Sequence, residues 1–122
     1  MTDPARADLG RIGEEAALAR YLDLGYLLVA RNWRCRLGEL ELVVSHGDGD
    51  FIVFCEVKCR RGRSFGEPFE AVHHAKRRKL RDLAQAFLQA APTRARSVRF
   101  DVASVIVDGM GRPSVHVFED AF

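Results

Sequence analysis

The dipeptide Asp48-Gly49 lies between two apolar runs, residues 39–45 and 51–59, and it constrains the chain more than any other feature. A two-residue type I′ turn needs positive φ at both central positions, and Asp-Gly supplies this readily. With the bend placed there, each step outward adds one residue per strand. Gly47 pairs with Asp50, Val43 falls opposite Phe54, Glu41 opposite Glu56, and Glu39 opposite Lys58. A slip of one residue would send Glu41 and Glu56 to opposite faces of the sheet.

That register has a chemical consequence. Directly opposed side chains have Cβ atoms roughly 4.5–5.5 Å apart. Two carboxylates so placed repel each other and lose hydration. Something positive must stand between them. Lys58, two residues beyond Glu56, supplies part of it. A divalent cation would supply more, and hard oxygen ligands favour Mg²⁺ or Mn²⁺. An isolated E-x-K triplet usually reads as a structural ion pair at a strand end. The second carboxylate in register and the arginine-rich segment that follows, with Arg60, Arg61 and Arg63, turn it toward a site. Glu14 is a third acid. It falls between Leu18 and Tyr21 on a helical wheel, and Gly10 and Gly13 before it permit close backbone approach. Taken alone, Glu14 reads as a solvated helix acid.

The surrounding pattern is αβββαβ with one extra strand, an α/β fold with a mixed sheet flanked by helices. Residues 9–24 read as a helix stopped by Gly25. Residues 26–33, 39–45 and 51–59 read as strands. Residues 60–68 read as an irregular basic loop. Residues 69–91 form an amphipathic helix in which Lys76 shares a stripe with Val72 and Leu80, so it points inward, unlike Arg77 and Arg78. Residues 98–107 and 114–118 complete the sheet. With 122 residues and no linker or repeat, the chain reads as one domain over 1–122, with disorder expected for residues 1–8.

Net charge is only +2, but the basic residues cluster at 60–63 and 76–81. Clustered base on a near-neutral chain suggests a polyanion partner; for the second cluster alone, a solvated helix face serves equally well. No apolar run approaches the ~20 residues of a membrane span, and no export signal opens the chain. Cys35, Cys55 and Cys59 are an odd set without zinc spacing. They read as reduced thiols of a cytoplasmic protein, Cys55 and Cys59 in core roles. His46, His73, His74 and His116 lack ligand spacing and read as solvated or packed. Trp33 and the phenylalanines read as core, with Phe65 a candidate for stacking on an unpaired base.

Several short pieces occur in order: G-x-x-G-E at 10–14, R-N-W-R at 31–34, G-E-L-E-L-V at 38–43, F-C-E-V-K-C-R at 54–60, F-G-x-P-x-E-A-V at 65–72 with Lys76 following, and R-F-D-V at 99–102. Together they resemble the YraN family of bacterial endonucleases, across roughly residues 9–107. That family belongs to the restriction-endonuclease-like PD-(D/E)XK superfamily and is similar to archaeal Holliday junction resolvases. The resemblance implies a restriction-endonuclease-like αβββαβ core and Mg²⁺-dependent cleavage of DNA. It implies that Glu14 helps the active centre, that position 41 and Glu56 bind the metal, and that Lys58 orients or activates the attacking water. Position 41 is usually aspartate in the family and is glutamate here, which carries the carboxylate outward by about 1.5 Å, one C–C bond.

The first expectation is therefore a nuclease: catalytic Glu14, Glu41, Glu56 and Lys58, metal on Glu41 and Glu56, and phosphates held by Arg60, Arg61, Arg63 and Lys76. The alternative is a nuclease-fold module that binds nucleic acid without turnover. A scaffold role would leave the opposed acids unexplained. The related resolvases are dimeric, so a homodimer is allowed, but no exposed apolar face in the sequence demands one.

Overall fold

The computed structural model describes residues 4–47, 50–62, 74–91, 95 and 97–122. In chain order the elements are α1 (Pro4–Asp23), β1 (Leu27–Cys35), β2 (Gly38–His46), β3 (Phe51–Arg61), α2 (His74–Ala90), β4 (Ser97–Val107) and β5 (Pro113–Phe118). The strands form one mixed sheet in the order β1-β2-β3-β4-β5. β3 and β4 are parallel, and the other neighbours are antiparallel. This is an α/β fold consistent with a restriction-endonuclease-like core.

Strand alternation divides the interior into two layers. Ile52 and Phe54 of β3 pack with Leu80, Leu83, Ala84 and Phe87 of α2. Val53, Cys55 and Val57 pack with Ala17, Leu18 and Tyr21 of α1. β3 is thus covered on both faces, which is why its sequence is apolar at successive positions rather than alternate ones. Trp33 and Phe54 both meet the Phe87 ring edge-on, at 5.3 and 5.8 Å between centroids. Cys55 is buried, and the three cysteines are free. His46 lies against Tyr26 and His116 against Phe118, at 4.7 and 4.2 Å.

One polar cluster locks the layers together. Asp101 is fully buried. It accepts hydrogen bonds from Tyr21 Oη (2.7 Å), Arg99 Nε and Nη2 (2.8 Å each) and the Asp120 backbone N–H (3.1 Å). Arg99 also donates to Tyr26 Oη at 3.0 Å. A buried carboxylate is tolerated only when its oxygens are filled in this way. The result joins α1, the approach to β1, β4 and the segment after β5.

The structure departs from the sequence expectations in four places, three of them element bounds. α1 takes in Pro4–Asp8; proline suits the first helical position and Ala5 and Arg6 propagate well. β3 continues through Arg60 and Arg61, expected in a loop, because parallel pairing with β4 extends to Arg61↔Val107. β1 runs to Cys35, with an irregularity between Leu28 and Ala30 and a left-handed Asn32 at φ 51°. Finally, an apolar face is exposed after all: Leu22, Leu24, Leu27, Leu28 and Val29 are 43–63% accessible where α1 ends and the edge strand begins. The turn Asp48-Gly49, Arg63, Phe65 and the start of the second expected helix at 69–73 lie outside the described residues. Among the described residues no helix is long and apolar enough to cross a membrane.

Candidate active site

The β2–β3 ladder runs from His46↔Phe51 through Val43↔Phe54 to Leu42↔Cys55. That is the register expected from an Asp-Gly bend, and the next step outward brings Glu41 and Glu56 side by side. They share the sheet face of Val43 and Phe54, which carries α2. Both carboxyl groups line one cleft, and Glu56 is close enough to raise the Glu41 pKa. Glu56 is 5% exposed, and one of its oxygens, Oε1, also receives two lysines: Lys76 Nζ at 2.6 Å and Lys58 Nζ at 3.4 Å. Lys58 comes from β3 itself and Lys76 from the inward stripe of α2.

Glu14 enters from α1 because Gly13 lets the helix lie on the strand. A Cβ at Gly13 would stand 2.6 Å from Cys59 Cβ and 3.0 Å from its Sγ. Glu14 Oε1 is buried and has no hydrogen-bond partner among the described residues. The acids open into a cleft of ≈ 340 Å³ bounded by Glu14, Glu39, Glu41, Glu56, Lys76, Lys79, Leu80 and Leu83.

Burial, the neighbouring Glu56 and then Glu14 push the Glu41 carboxyl up to about 8, with Lys76 opposing. Glu41 therefore keeps its proton at neutral pH. The lysines diverge. Burial, then a hydrogen bond with Lys76, lowers Lys58 from its ordinary value. Burial also acts to lower Lys76, but its hydrogen bonds to Glu56 and Lys58 outweigh that and hold it above its ordinary value.

The donor set suits a hard divalent cation. Among the described residues no three His, Cys, Asp or Glu side chains stand as a ready-made ligand cluster. Magnesium does not require one: it is usually bound by one or two carboxylates, with waters and substrate oxygens filling the rest. Here burial and Glu56 hold a proton on Glu41 that a cation can replace, and Glu14 offers an oxygen without a hydrogen-bond partner among the described residues.

Glu14, Glu41, Glu56, Lys58 and Lys76 thus meet in one place. Arg60 and Arg61 are exposed at the far end of β3, and Arg63 lies outside the described residues. Lys76, expected to contact phosphate, is engaged with Glu56. Two lining residues went unassigned in the sequence, Glu39 and Lys79. The signals were present: Glu39 is two residues from Glu41 on one strand, and Lys79 three residues from Lys76 on one helix.

A family model described as "Uncharacterised protein family UPF0102" matches residues 13–105. The chain belongs to that family. A UPF0102 protein of Clavibacter michiganensis subsp. michiganensis (strain NCPPB 382) is 48% identical over 114 residues, covering 93% of this chain and 95% of the relative. A UPF0102 protein of Acidothermus cellulolyticus is 44% identical over 131 residues, covering 99% and 98%. One from Pelotomaculum thermopropionicum is 47% identical over 120 residues, covering 97% and 98%. The UPF0102 match spans Glu14, Glu41, Glu56, Lys58 and Lys76 and stops before β5.

Proposed function

We propose that the UPF0102 cleft hydrolyses phosphodiester bonds of nucleic acid, DNA in the first instance, with Mg²⁺ or Mn²⁺ held by Glu41 and Glu56. The observation that carries this is the pairing of Glu41 and Glu56 in one cleft, with two lysines on one Glu56 oxygen. Purely structural ion pairs need one acid and one base; this cluster holds three acids and two bases, with one acid oxygen unsatisfied.

When bound, the cation polarises a phosphate oxygen and acidifies a water. The protein's own groups do the rest. Lys58, lowered by burial and by Lys76, takes a proton from the attacking water. Lys76 stays charged, anchors Glu56 and offsets negative charge developing on the phosphate. Glu14 receives a hydrogen bond from a water or the rim of the metal shell. Arg60, Arg61 and Arg63 hold phosphates beyond the cut. The free thiols accord with a cytoplasmic setting.

The test is cleavage of branched, flapped and single-stranded DNA with Mg²⁺ or Mn²⁺ by wild type, Glu56→Ala and Lys58→Ala. Metal-dependent cleavage that both substitutions abolish is expected. Activity surviving in either variant overturns the assignment. Glutamate at position 41 supports a second reading, a module that binds DNA without cutting it; salt-sensitive, metal-independent binding with no cleavage by wild type or Glu41→Asp would establish that one instead.

A further inference from the structure

A second recess, also ≈ 340 Å³, lies on the other flank of α2, bounded by Arg77, Arg78, Arg81 and Phe122. We infer that this recess binds a backbone phosphate of the nucleic acid outside the catalytic cleft, with Arg78 and Arg81 as its principal contacts. The inference rests on the nucleic-acid reading of the cleft and extends it to a site that the hydrolysis does not use.

Arg78 and Arg81 stand three residues apart, so both project from one face of α2, and Arg77 is four residues before Arg81. Like charges at these spacings destabilise a helix, and neither Arg78 nor Arg81 has an ion-pair partner among the described residues. The Arg81 guanidinium is fixed over the Phe100 ring, 4.7 Å from its centroid. The Phe100 ring in turn packs on Phe122 at 5.2 Å. A guanidinium held on a ring keeps its N–H donors for acceptors in its own plane, the geometry of bidentate phosphate binding. Lysines, by contrast, line the catalytic flank.

Position favours a nucleic acid over an isolated anion. Phe122, Phe100 and Leu80 also bound a small void beside Glu41 and Glu56, so one layer of side chains separates the recess from the acids. The two flanks are about one helix diameter apart, ~10 Å, within reach of neighbouring nucleotides on one strand crossing α2.

The experiment measures anisotropy of a labelled oligonucleotide in EDTA, so that binding is read without cleavage, across a salt series. Arg78→Ala/Arg81→Ala should weaken binding about tenfold and reduce the slope of log K against log salt by about 1 to 2. Arg20→Ala, a surface arginine of α1, should match wild type, and circular dichroism should show the double variant folded. Wild-type affinity and slope in the double variant, or no oligonucleotide binding by wild type, overturns the inference. So does polyglutamate bound as tightly as the oligonucleotide, or inorganic phosphate whose binding alone responds to the substitutions. Loss of affinity in the variant, with no metal-dependent cleavage by wild type, would sustain the recess while removing the hydrolytic function. Cleavage with unchanged binding would do the reverse.

Discussion

Lys76 on α2 stands 2.6 Å from Glu56 on β3, and this contact ties the helix to the most buried acid of the cleft. It leaves Lys58, at 3.4 Å from the same oxygen, as the weaker partner. The site therefore holds two amines whose pKa values move in opposite directions, Lys58 down and Lys76 up.

The raised Glu41 carboxyl makes stability depend on pH. Glu41 is pushed up to about 8 from an ordinary 4.5, by burial first and Glu56 second. The unfolded chain loses this proton near its ordinary value and the native protein only near 8. Between those limits the native state binds more protons, so its stability falls as pH rises. A cation that replaces the proton offsets the loss. Thermal unfolding should show a larger Mn²⁺-induced rise in Tm at about pH 8.5 than at about pH 5.5, and Glu41→Gln should remove both the pH slope and the metal effect.

Shortening the side chain at position 41 should improve turnover. Glutamate carries its carboxylate about 1.5 Å farther than aspartate, and misplacement on the order of 1 Å can lower a rate ~100-fold. Glu41→Asp is expected to raise metal-dependent cleavage roughly 10- to 100-fold in a single-turnover assay. An unchanged or lower rate would mean that the cleft is already fitted to the longer side chain.

Gly13 is where α1 meets β3, and any side chain there collides with Cys59. Gly13→Ala should destabilise by about 1–3 kcal/mol, the range for overpacking, and should displace Glu14 from the cleft. Adding Cys59→Gly should recover part of that loss, giving a favourable coupling in a double-mutant cycle measured by urea unfolding. Simple additivity would contradict the contact.

Asp101 carries four hydrogen bonds in full burial. Asp101→Asn removes the buried counter-charge of the Arg99 guanidinium and leaves only the exposed Glu119, at 3.6 Å; breaking a buried pair costs about 3–5 kcal/mol. Urea unfolding should show a loss in that range, with little change in metal affinity. A loss below about 1 kcal/mol would contradict the role given to this network.

The opposed acids were legible because a two-residue bend and a period of two leave only one register. The inward direction of Lys76 was legible from its stripe with Leu80. Glu14 was legible only in part: the wheel put it between Leu18 and Tyr21, but a lone helix acid reads as solvated, and its role came from the G-x-x-G-E resemblance. Its place depends on Gly13 resting against Cys59, a contact between distant parts of the chain. The Asp101 network stayed hidden for the same reason, although R-F-D-V was visible; its partners Tyr21, Tyr26 and Asp120 are brought together only by the finished fold. Local pattern also ended β3 too early, because Arg60 and Arg61 owe their strand geometry to β4.

A crystal structure of the protein soaked in Mn²⁺ above pH 8 tests the central claim most directly. A manganese ion bridging Glu41 and Glu56 is the predicted result. A cleft with no metal between these carboxyl groups at saturating Mn²⁺ would contradict it.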